Sequence, residues 1–168
     1  MLNIVLDIDN TLVDTLTAKV DGMPSTRIQG TNFHVHPRPH LECFLDWLFE
    51  NFTVSLWTAG SGVYADWIAE NIVGTRKGKK LEHVLNARDV QESINRYGTP
   101  KSLRYLNNID PQMGPENTLL IDDTSNNFEK QEKNGILIRP FDVRFHDEEL
   151  NFLPERIIKQ FCSLAPRS

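Results

Sequence analysis

The sequence has few of the residues that mark membrane or secreted proteins. Its only cysteines are Cys43 and Cys162, which lie far apart without metal-ligand spacing, so we interpret both as reduced thiols. No apolar run approaches the roughly 20 residues of a membrane-spanning helix. The first residues lack a basic segment and reach an acid, Asp7, too early for a signal peptide. These absences predict a cytoplasmic or nuclear protein without a membrane partner.

An excess of positive charge is also missing. The formal net charge is −5, which argues against broad, non-specific binding of nucleic acid but leaves a local basic site open. Hydrophobic residues make up 39% of the chain and charged residues 24%, as is typical of a globular protein. Since no repeat or linker divides the sequence, we expect residues 1–168 to form a single domain with one core.

Short apolar segments alternate with amphipathic ones along the chain. Strands are predicted at residues 3–7, 53–58, 84–87, 118–121 and 136–138. Helices are predicted to begin at Pro39 and to cover residues 63–72, 99–107 (capped by Thr99), 126–133 and 146–161, where Pro154 could break the last one. Residues 14–37 are polar and rich in turn signals, so we expect a short insertion there with at most a small hairpin. The alternation indicates an α/β class, a Rossmann-like three-layer sandwich around a parallel sheet.

Acidic residues follow two of the predicted strands. Asp7 and Asp9 come directly after the first strand, and Asp122 and Asp123 end a later one. Carboxyl ends of parallel strands share one edge of the sheet, where ligands bind. Like charges held close together are costly unless a cation or a proton intervenes. A metal site therefore explains these acids better than chance does.

Four segments in this order resemble the motifs of haloacid dehalogenase phosphatases. They are Asp7-Ile8-Asp9-Asn10-Thr11, Leu56-Trp57-Thr58-Ala59, Lys101 within Thr-Pro-Lys-Ser-Leu, and Asp122-Asp123. Within that superfamily the chain is most similar to the phosphatases of the RNA polymerase II C-terminal domain, the NLI-interacting factor-like group. That similarity is carried by Leu12-Val13, Arg38-Pro39, Phe44-Leu45, Tyr64-Ala65-Asp66, Asn134-Gly135-Ile136 and Asp147-Glu148-Glu149-Leu150. The resemblance implies a haloacid dehalogenase fold, here without room for a large cap domain.

The resemblance also implies a magnesium-dependent phosphomonoester hydrolase that works through an aspartyl-phosphate. Asp7 would be the nucleophile, and Asp9 would protonate the leaving oxygen and later activate water. Mg²⁺ would be bound by the Asp7 carboxylate, the Asp9 backbone carbonyl and the Asp123 carboxylate. Asp122 would join this metal site by orienting a ligand water, or it would orient Lys101.

The substrate-binding residues implied by the same motifs are Thr11, Thr58, Ala59, Lys101 and Arg88. Thr58 and Lys101 would also be catalytic, because they hold and neutralise the phosphoryl oxygens. Thr11 is expected to support the loop rather than touch the substrate. Arg88 either faces the site or is an ordinary surface arginine.

An uncapped site predicts a phosphoprotein or phosphopeptide substrate carrying phosphoserine or phosphothreonine, since an open cleft admits a side chain on a polypeptide. The same openness suits a polynucleotide or nucleotide phosphatase, and an inactive phosphate-binding module is the second alternative. His34, His36 and His40 lack the neighbouring cysteine or acid that would complete a zinc site. The sequence leaves the oligomeric state open.

Overall fold

Strands and helices alternate along residues 1–165, the part of the chain that the computed structural model describes. In chain order these elements are β1 (Asn3–Leu6), β2 (Val13–Leu16), β3 (Thr26–Arg27), β4 (His34–Pro37), α1 (Leu41–Asn51), β5 (Thr53–Trp57), α2 (Gly62–Ile68), β6 (Val84–Leu85), α3 (Ala87–Tyr97), α4 (Leu103–Ile109), β7 (Thr118–Asp122), β8 (Gly135–Leu137) and α5 (Glu149–Leu164). A π-helical turn, Ala69–Val73, follows α2 directly.

The central sheet contains five parallel strands in the order β6-β5-β1-β7-β8. This arrangement confirms the parallel α/β sandwich predicted from the alternation of elements. Strand β1 lies in the middle, between β5 and β7, and its register pairs Leu6 with Ile121. The carboxyl ends of β1 and β7 therefore lie side by side at one edge of the sheet. This places Asp7, which follows β1, next to Asp122, the last residue of β7.

Both faces of the sheet are buried, as expected for parallel strands covered by helices. Side chains alternate between the faces along β1, so Ile4 and Leu6 join one apolar cluster and Val5 joins the other. The first cluster includes the apolar faces of α1 and α5, and the second includes Leu103 and Leu106 of α4. Because β1 is packed on both faces, the position of Asp7 at its carboxyl end is fixed.

Residues 13–37 form a separate antiparallel sheet in the order β2-β4-β3. The small hairpin allowed for in this segment is formed by the consecutive strands β3 and β4, which pair Arg27 with His34, but the sheet is larger than predicted because β2 pairs with the other edge of β4, Val13 with Pro37. His36 is buried in this sheet, where its Nε2 accepts the Val20 N–H at 3.2 Å. His40 instead pairs with Glu148 at 3.0 Å, so these two histidines serve separate contacts.

The helix predicted over residues 99–107 was placed too early. Helix α4 begins at Leu103, and Ser102 rather than Thr99 is its cap, accepting the Arg104 N–H at 3.2 Å. The residues before it are held in a turn, because the Lys101 N–H donates to the Asn127 carbonyl at 3.0 Å. This turn carries Lys101 towards the edge of the sheet where Asp7 lies.

Two other predictions near this edge were wrong in part. The strand expected at residues 84–87 ends at Leu85, because Asn86 caps the next helix through a capping box with Asp89. That helix, α3, was not predicted at all. The helix expected over residues 126–133 is replaced by two short 3₁₀ turns, Ser125–Phe128 and Glu132–Asn134, separated by Lys130 in a left-handed conformation.

The last helix begins three residues later than predicted and continues through Pro154 without a break. It starts late because Asp147 turns inward to pair with buried Arg38 at 2.8 Å, and its Oδ1 also accepts the Glu149 N–H. Within residues 1–165, no helix is both long enough and apolar enough to cross a lipid bilayer. Cys43 and Cys162 are free thiols, as predicted, and both are exposed.

Candidate active site

Asp7 lies at the carboxyl end of β1 and is only 9% exposed. Its backbone N–H donates to Ile121 of β7 at 2.9 Å, which fixes the main chain at this point. Its carboxylate accepts hydrogen bonds from Lys101 Nζ at 2.9 Å and from the Thr11 hydroxyl at 3.3 Å. Burial raises the pKa of Asp7, and Lys101 beside it offsets part of that rise.

Lys101 is 2% exposed and bridges two carboxylates. Its Nζ lies 2.9 Å from Asp7 and 2.6 Å from Asp122. Burial lowers the pKa of Lys101, but the two carboxylates outweigh this effect and raise the pKa above its ordinary value. The lysine is therefore a fixed positive charge beside the Asp7 oxygens.

Asp122 is the second carboxylate that contacts Lys101. Its Oδ2 accepts from Lys101 and from Asn127 Nδ2 at 2.9 Å, and its Oδ1 accepts the Thr124 N–H at 2.9 Å. Both oxygens are thus engaged, and burial raises the pKa of this carboxyl as well. Asp123 is less buried, and its Oδ1 accepts from the Thr11 hydroxyl at 3.4 Å. Thr11 itself is fully buried between the two acids.

The donor set fits a hard divalent cation. Carboxylate oxygens of Asp7, Asp122 and Asp123 lie within 4.8 Å of one another. One lysine faces these three acids, so negative charge is in excess at a buried position. Oxygen ligands and uncompensated negative charge are what Mg²⁺ requires.

Asp9 turns its carboxylate away from these three acids. Its Oδ1 accepts the Tyr64 hydroxyl at 2.7 Å, and that hydroxyl also lies 2.6 Å from Thr15 Oγ1. Burial is the largest influence on the pKa of Asp9 and raises it, while Tyr64 lowers it in part. The protonated form of Asp9 is therefore favoured more than that of an ordinary aspartate. A carboxyl group of this kind is suited to donate a proton.

The second motif follows β5, which is the neighbour of β1 in the sheet. Thr58 comes directly after β5, is 1% exposed and accepts the Gly60 N–H at 2.9 Å, which leaves its own hydroxyl proton free to donate. Ala59 is exposed. Arg88 lies in the first turn of α3 and is exposed, and the Ala87 N–H before it donates to the Gly60 carbonyl at 2.8 Å. Arg88 is thus beside the loop after Thr58 but is not fixed by it.

The loop after β1 is held in place by Arg38, which is 1% exposed. The guanidinium donates to both Asp147 oxygens at 2.8 Å and to the carbonyls of Asn10, Thr11 and Arg139. Asn10 takes a left-handed conformation with φ of 61°, and its Nδ2 donates to the Phe141 carbonyl at 2.8 Å. Buried contacts of this kind stabilise an otherwise unfavourable backbone conformation. These contacts therefore fix the backbone of the loop after β1.

A cavity of about 690 Å³ adjoins Asp9 on the side of Tyr64. Apolar side chains of Ile28, Phe33, Val63 and Trp67 line it, together with acidic residues from α2 and the turn after it. The small sheet supplies one wall and α2 the other. A polypeptide passing through this cavity would lie directly beside Asp9.

Two residues that build this site were not assigned a role from the sequence. Tyr64 and Arg38 stood only in segments that resemble the polymerase-tail group, and spacing alone gave no partner for either. The polar sequence around Asn127 also gave no indication that this residue donates a hydrogen bond to Asp122.

Comparisons with known proteins agree with this geometry. A family model described as NLI interacting factor-like phosphatase matches residues 2–162. The CTD phosphatase-like protein 355R of Invertebrate iridescent virus 6 is 30% identical over 165 residues, which cover 89% of this chain and 91% of that protein. Its counterpart in Invertebrate iridescent virus 3 is 30% identical over 161 residues, covering 86% and 85%.

Solved structures share the fold. Fission yeast RNA polymerase II CTD phosphatase Fcp1, in a variant bound to beryllium fluoride, matches 97% of this chain with a TM-score of 0.59 and 19% identity. A second structure of Fcp1, an essential RNA polymerase II CTD phosphatase, matches 97% with a TM-score of 0.60 and 19% identity. This chain spans 50% and 48% of those two chains.

These matches confirm the fold class and the family that the four motifs predict. They extend over nearly the whole chain, and they include the segments that carry Asp7, Lys101 and Asp122. The chain therefore belongs to the NLI interacting factor-like phosphatases, and it is a phosphatase of the haloacid dehalogenase type.

Proposed function

We propose that this phosphatase hydrolyses phosphoserine or phosphothreonine in polypeptides through an aspartyl-phosphate on Asp7. The observation that carries the proposal is the position of Asp7, whose buried carboxylate lies 2.9 Å from a fixed ammonium group. Asp9, two residues further on, is held in a separate hydrogen-bonded environment. Two carboxyl groups in different environments can divide the roles of nucleophile and acid.

In the first step an Asp7 oxygen attacks phosphorus, and the bond from phosphorus to the serine or threonine oxygen breaks. Asp9 gives its proton to that leaving oxygen. Lys101 neutralises the phosphoryl oxygens, while the free hydroxyl proton of Thr58 donates to one of them. Asp122 and Asn127 keep Lys101 in place during this transfer.

In the second step water attacks phosphorus, and the bond from phosphorus to the Asp7 oxygen breaks. Asp9, now ionised, accepts a proton from that water and so returns to its starting state. Inorganic phosphate leaves, and Asp7 regains its carboxylate.

The same acids support a role for Mg²⁺. Asp7 and Asp123 would hold the ion with their carboxylates, and Asp9 would add its backbone carbonyl. When bound, the ion supplies neutralising charge for the phosphoryl group. Asp122 lies in the same cluster, but its hydrogen bonds favour the role of positioning Lys101.

The cavity beside Asp9 supports a polypeptide substrate. Its apolar walls suit the residues next to a phosphorylated side chain, and its acidic residues disfavour a polynucleotide backbone. The solved relatives are named as phosphatases of the RNA polymerase II CTD, which agrees with a polypeptide substrate.

A direct comparison of substrates tests this choice. With Mg²⁺ present, kcat/KM should be higher for a phosphoserine peptide with apolar neighbours than for an oligonucleotide with a 3′-phosphate. A higher kcat/KM for the oligonucleotide would reject the polypeptide substrate in favour of nucleic acid. Absence of turnover on every phosphomonoester, with the protein folded and Mg²⁺ bound, would indicate an inactive phosphate-binding module.

Removal of divalent cations should abolish activity, and excess Mg²⁺ should restore it. Binding to the folded state alone also stabilises it, so Mg²⁺ should raise the melting temperature. Asp123→Asn should weaken both effects, because it removes a charged oxygen ligand. Asp142→Asn is the matched control, since the carboxylate of Asp142 forms a surface ion pair with exposed Arg144. Full activity in excess chelator would contradict the metal requirement.

Asp9→Asn should impair turnover according to the leaving group. General acid catalysis contributes on the order of 10²–10⁴-fold, and an alkoxide needs the proton more than a phenolate does. The variant should therefore keep a larger fraction of activity on an aryl phosphate than on a phosphopeptide. Equal losses on both substrates at saturating Mg²⁺ would show that Asp9 has no acid–base role.

A further inference from the structure

We propose that Tyr64 is a positioning residue that couples occupancy of the cavity beside Asp9 to the orientation of the Asp9 carboxyl group. This inference rests on the proposed function, in which Asp9 protonates the leaving oxygen. It goes further because it gives the cavity an effect on the chemical step as well as on binding.

Tyr64 belongs both to the hydrogen-bond network of Asp9 and to the wall of the cavity. Its hydroxyl donates to Asp9 Oδ1 at 2.7 Å, and its ring is one wall of the cavity. Because Oδ1 accepts this bond, the Asp9 proton resides on Oδ2, which is left to face the leaving group. A shift of the Tyr64 ring must therefore change the direction in which Asp9 presents its proton.

The hydroxyl of Tyr64 is braced from the small sheet. Thr15 of β2 lies 2.6 Å from it, and since Tyr64 donates to Asp9, Thr15 is the donor in this second bond. Thr15 also lines the cavity. Three side chains from the loop after β1, from β2 and from α2 thus form one hydrogen-bonded chain that borders the space a peptide would fill.

The ring of Tyr64 has little freedom on its inner side. A Cβ atom at Gly60 would lie 3.0 Å from Tyr64 Cδ1 and 3.2 Å from Thr58 Oγ1, so the ring packs closely against the backbone after Thr58. On its outer side the ring borders the open cavity. An apolar side chain in the cavity would close that outer side and hold the ring against Gly60.

The test uses Tyr64→Phe, which keeps the ring and removes the hydroxyl. On a phosphoserine peptide we expect kcat to fall about 10- to 100-fold with little change in KM, because Asp9 becomes a charged carboxylate as it gives up its proton and the hydrogen bond that stabilises this charge is lost. On an aryl phosphate, whose leaving group needs little proton, the change should stay within about 3-fold. Thr15→Val should show the same pattern to a smaller extent.

The coupling itself is measured with two peptides that differ in one apolar residue next to the phosphoserine. In the wild-type protein the apolar residue should raise kcat as well as lower KM. In Tyr64→Phe it should lower KM only. Tyr105→Phe is the matched control, since that hydroxyl donates to Asp89 at 2.8 Å, outside the cavity, and we expect changes within about 2-fold.

The outcomes separate this inference from the proposed function. If the wild-type protein does not hydrolyse phosphopeptides, the proposed function fails. If it does, but Tyr64→Phe loses kcat equally on aryl phosphate and peptide, Tyr64 has only a structural role and the inference is overturned. An apolar residue that lowers KM without changing kcat in the wild type would also overturn it.

Discussion

Asp7→Asn is expected to lower turnover by several orders of magnitude while the protein stays folded. The amide has nearly the same shape as the carboxylate, but it is not a competent nucleophile. Lys101 keeps Asp122 as its partner at 2.6 Å, so the substitution leaves no buried charge unpaired. Residual kcat should stay below roughly 1% of the wild-type value on every phosphomonoester.

A second measurement separates loss of the nucleophile from general damage to the site. Beryllium fluoride mimics a phosphoryl group on a carboxylate, so with Mg²⁺ it should inhibit the wild-type protein and raise its melting temperature. With Asp7→Asn, beryllium fluoride should neither bind nor raise the melting temperature. Asp142→Asn should behave like the wild type. Substantial turnover by Asp7→Asn would reject Asp7 as the nucleophile.

Arg38→Met should destabilise the fold by about 3–5 kcal/mol, because it leaves the buried carboxylate of Asp147 without a countercharge. For a chain of this size such a loss lowers the melting temperature on the order of 10 °C. The loop that carries Asp9 and Asn10 also loses its hydrogen bonds to the guanidinium, so activity should fall together with stability.

Denaturant unfolding measures this effect, with Arg144→Met as the control. Arg144 is exposed and forms a surface ion pair with Asp142, so we expect a change within about 0.5 kcal/mol. A double variant, Arg38→Met with Asp147→Leu, should recover part of the loss because the unpaired charge is gone. A cost for Arg38→Met no larger than that of the control would contradict the role assigned to the buried ion pair.

The sequence predicted the parts of this fold that depend on apolar patterning. Strands β1 and β7 are buried on both faces, so their continuous apolar runs and the acids that follow them were readable. Because parallel strands share an edge, the meeting of Asp7 with Asp122 could be predicted as well.

Helix α3 was missed although its sequence carries usable signals. Val90 and Tyr97 lie on one helical face and pack against the second apolar cluster, Asn86 begins the helix with a capping box, and the left-handed Gly98 ends it. That apolar face is short and lies among many polar residues, and Ser93 is the residue of α3 that is fully buried. Tyr64 was missed for a different reason. Its partners, Asp9 and Thr15, are 55 and 49 residues away in the chain, and local pattern carries no information about such contacts.

The small sheet of residues 13–37 is closed at its base. Val13 and Pro37 pair directly, so the segment leaves and re-enters the core at nearly the same point. Changing the length of such a loop is inexpensive, since each doubling costs only about 0.6 kcal/mol in closure entropy. Ile28 and Phe33, which line the cavity, both lie within this segment. The stretch between β2 and β4 can therefore vary in length at low cost, and such a change would alter this wall of the cavity while β2 keeps Thr15 beside Tyr64.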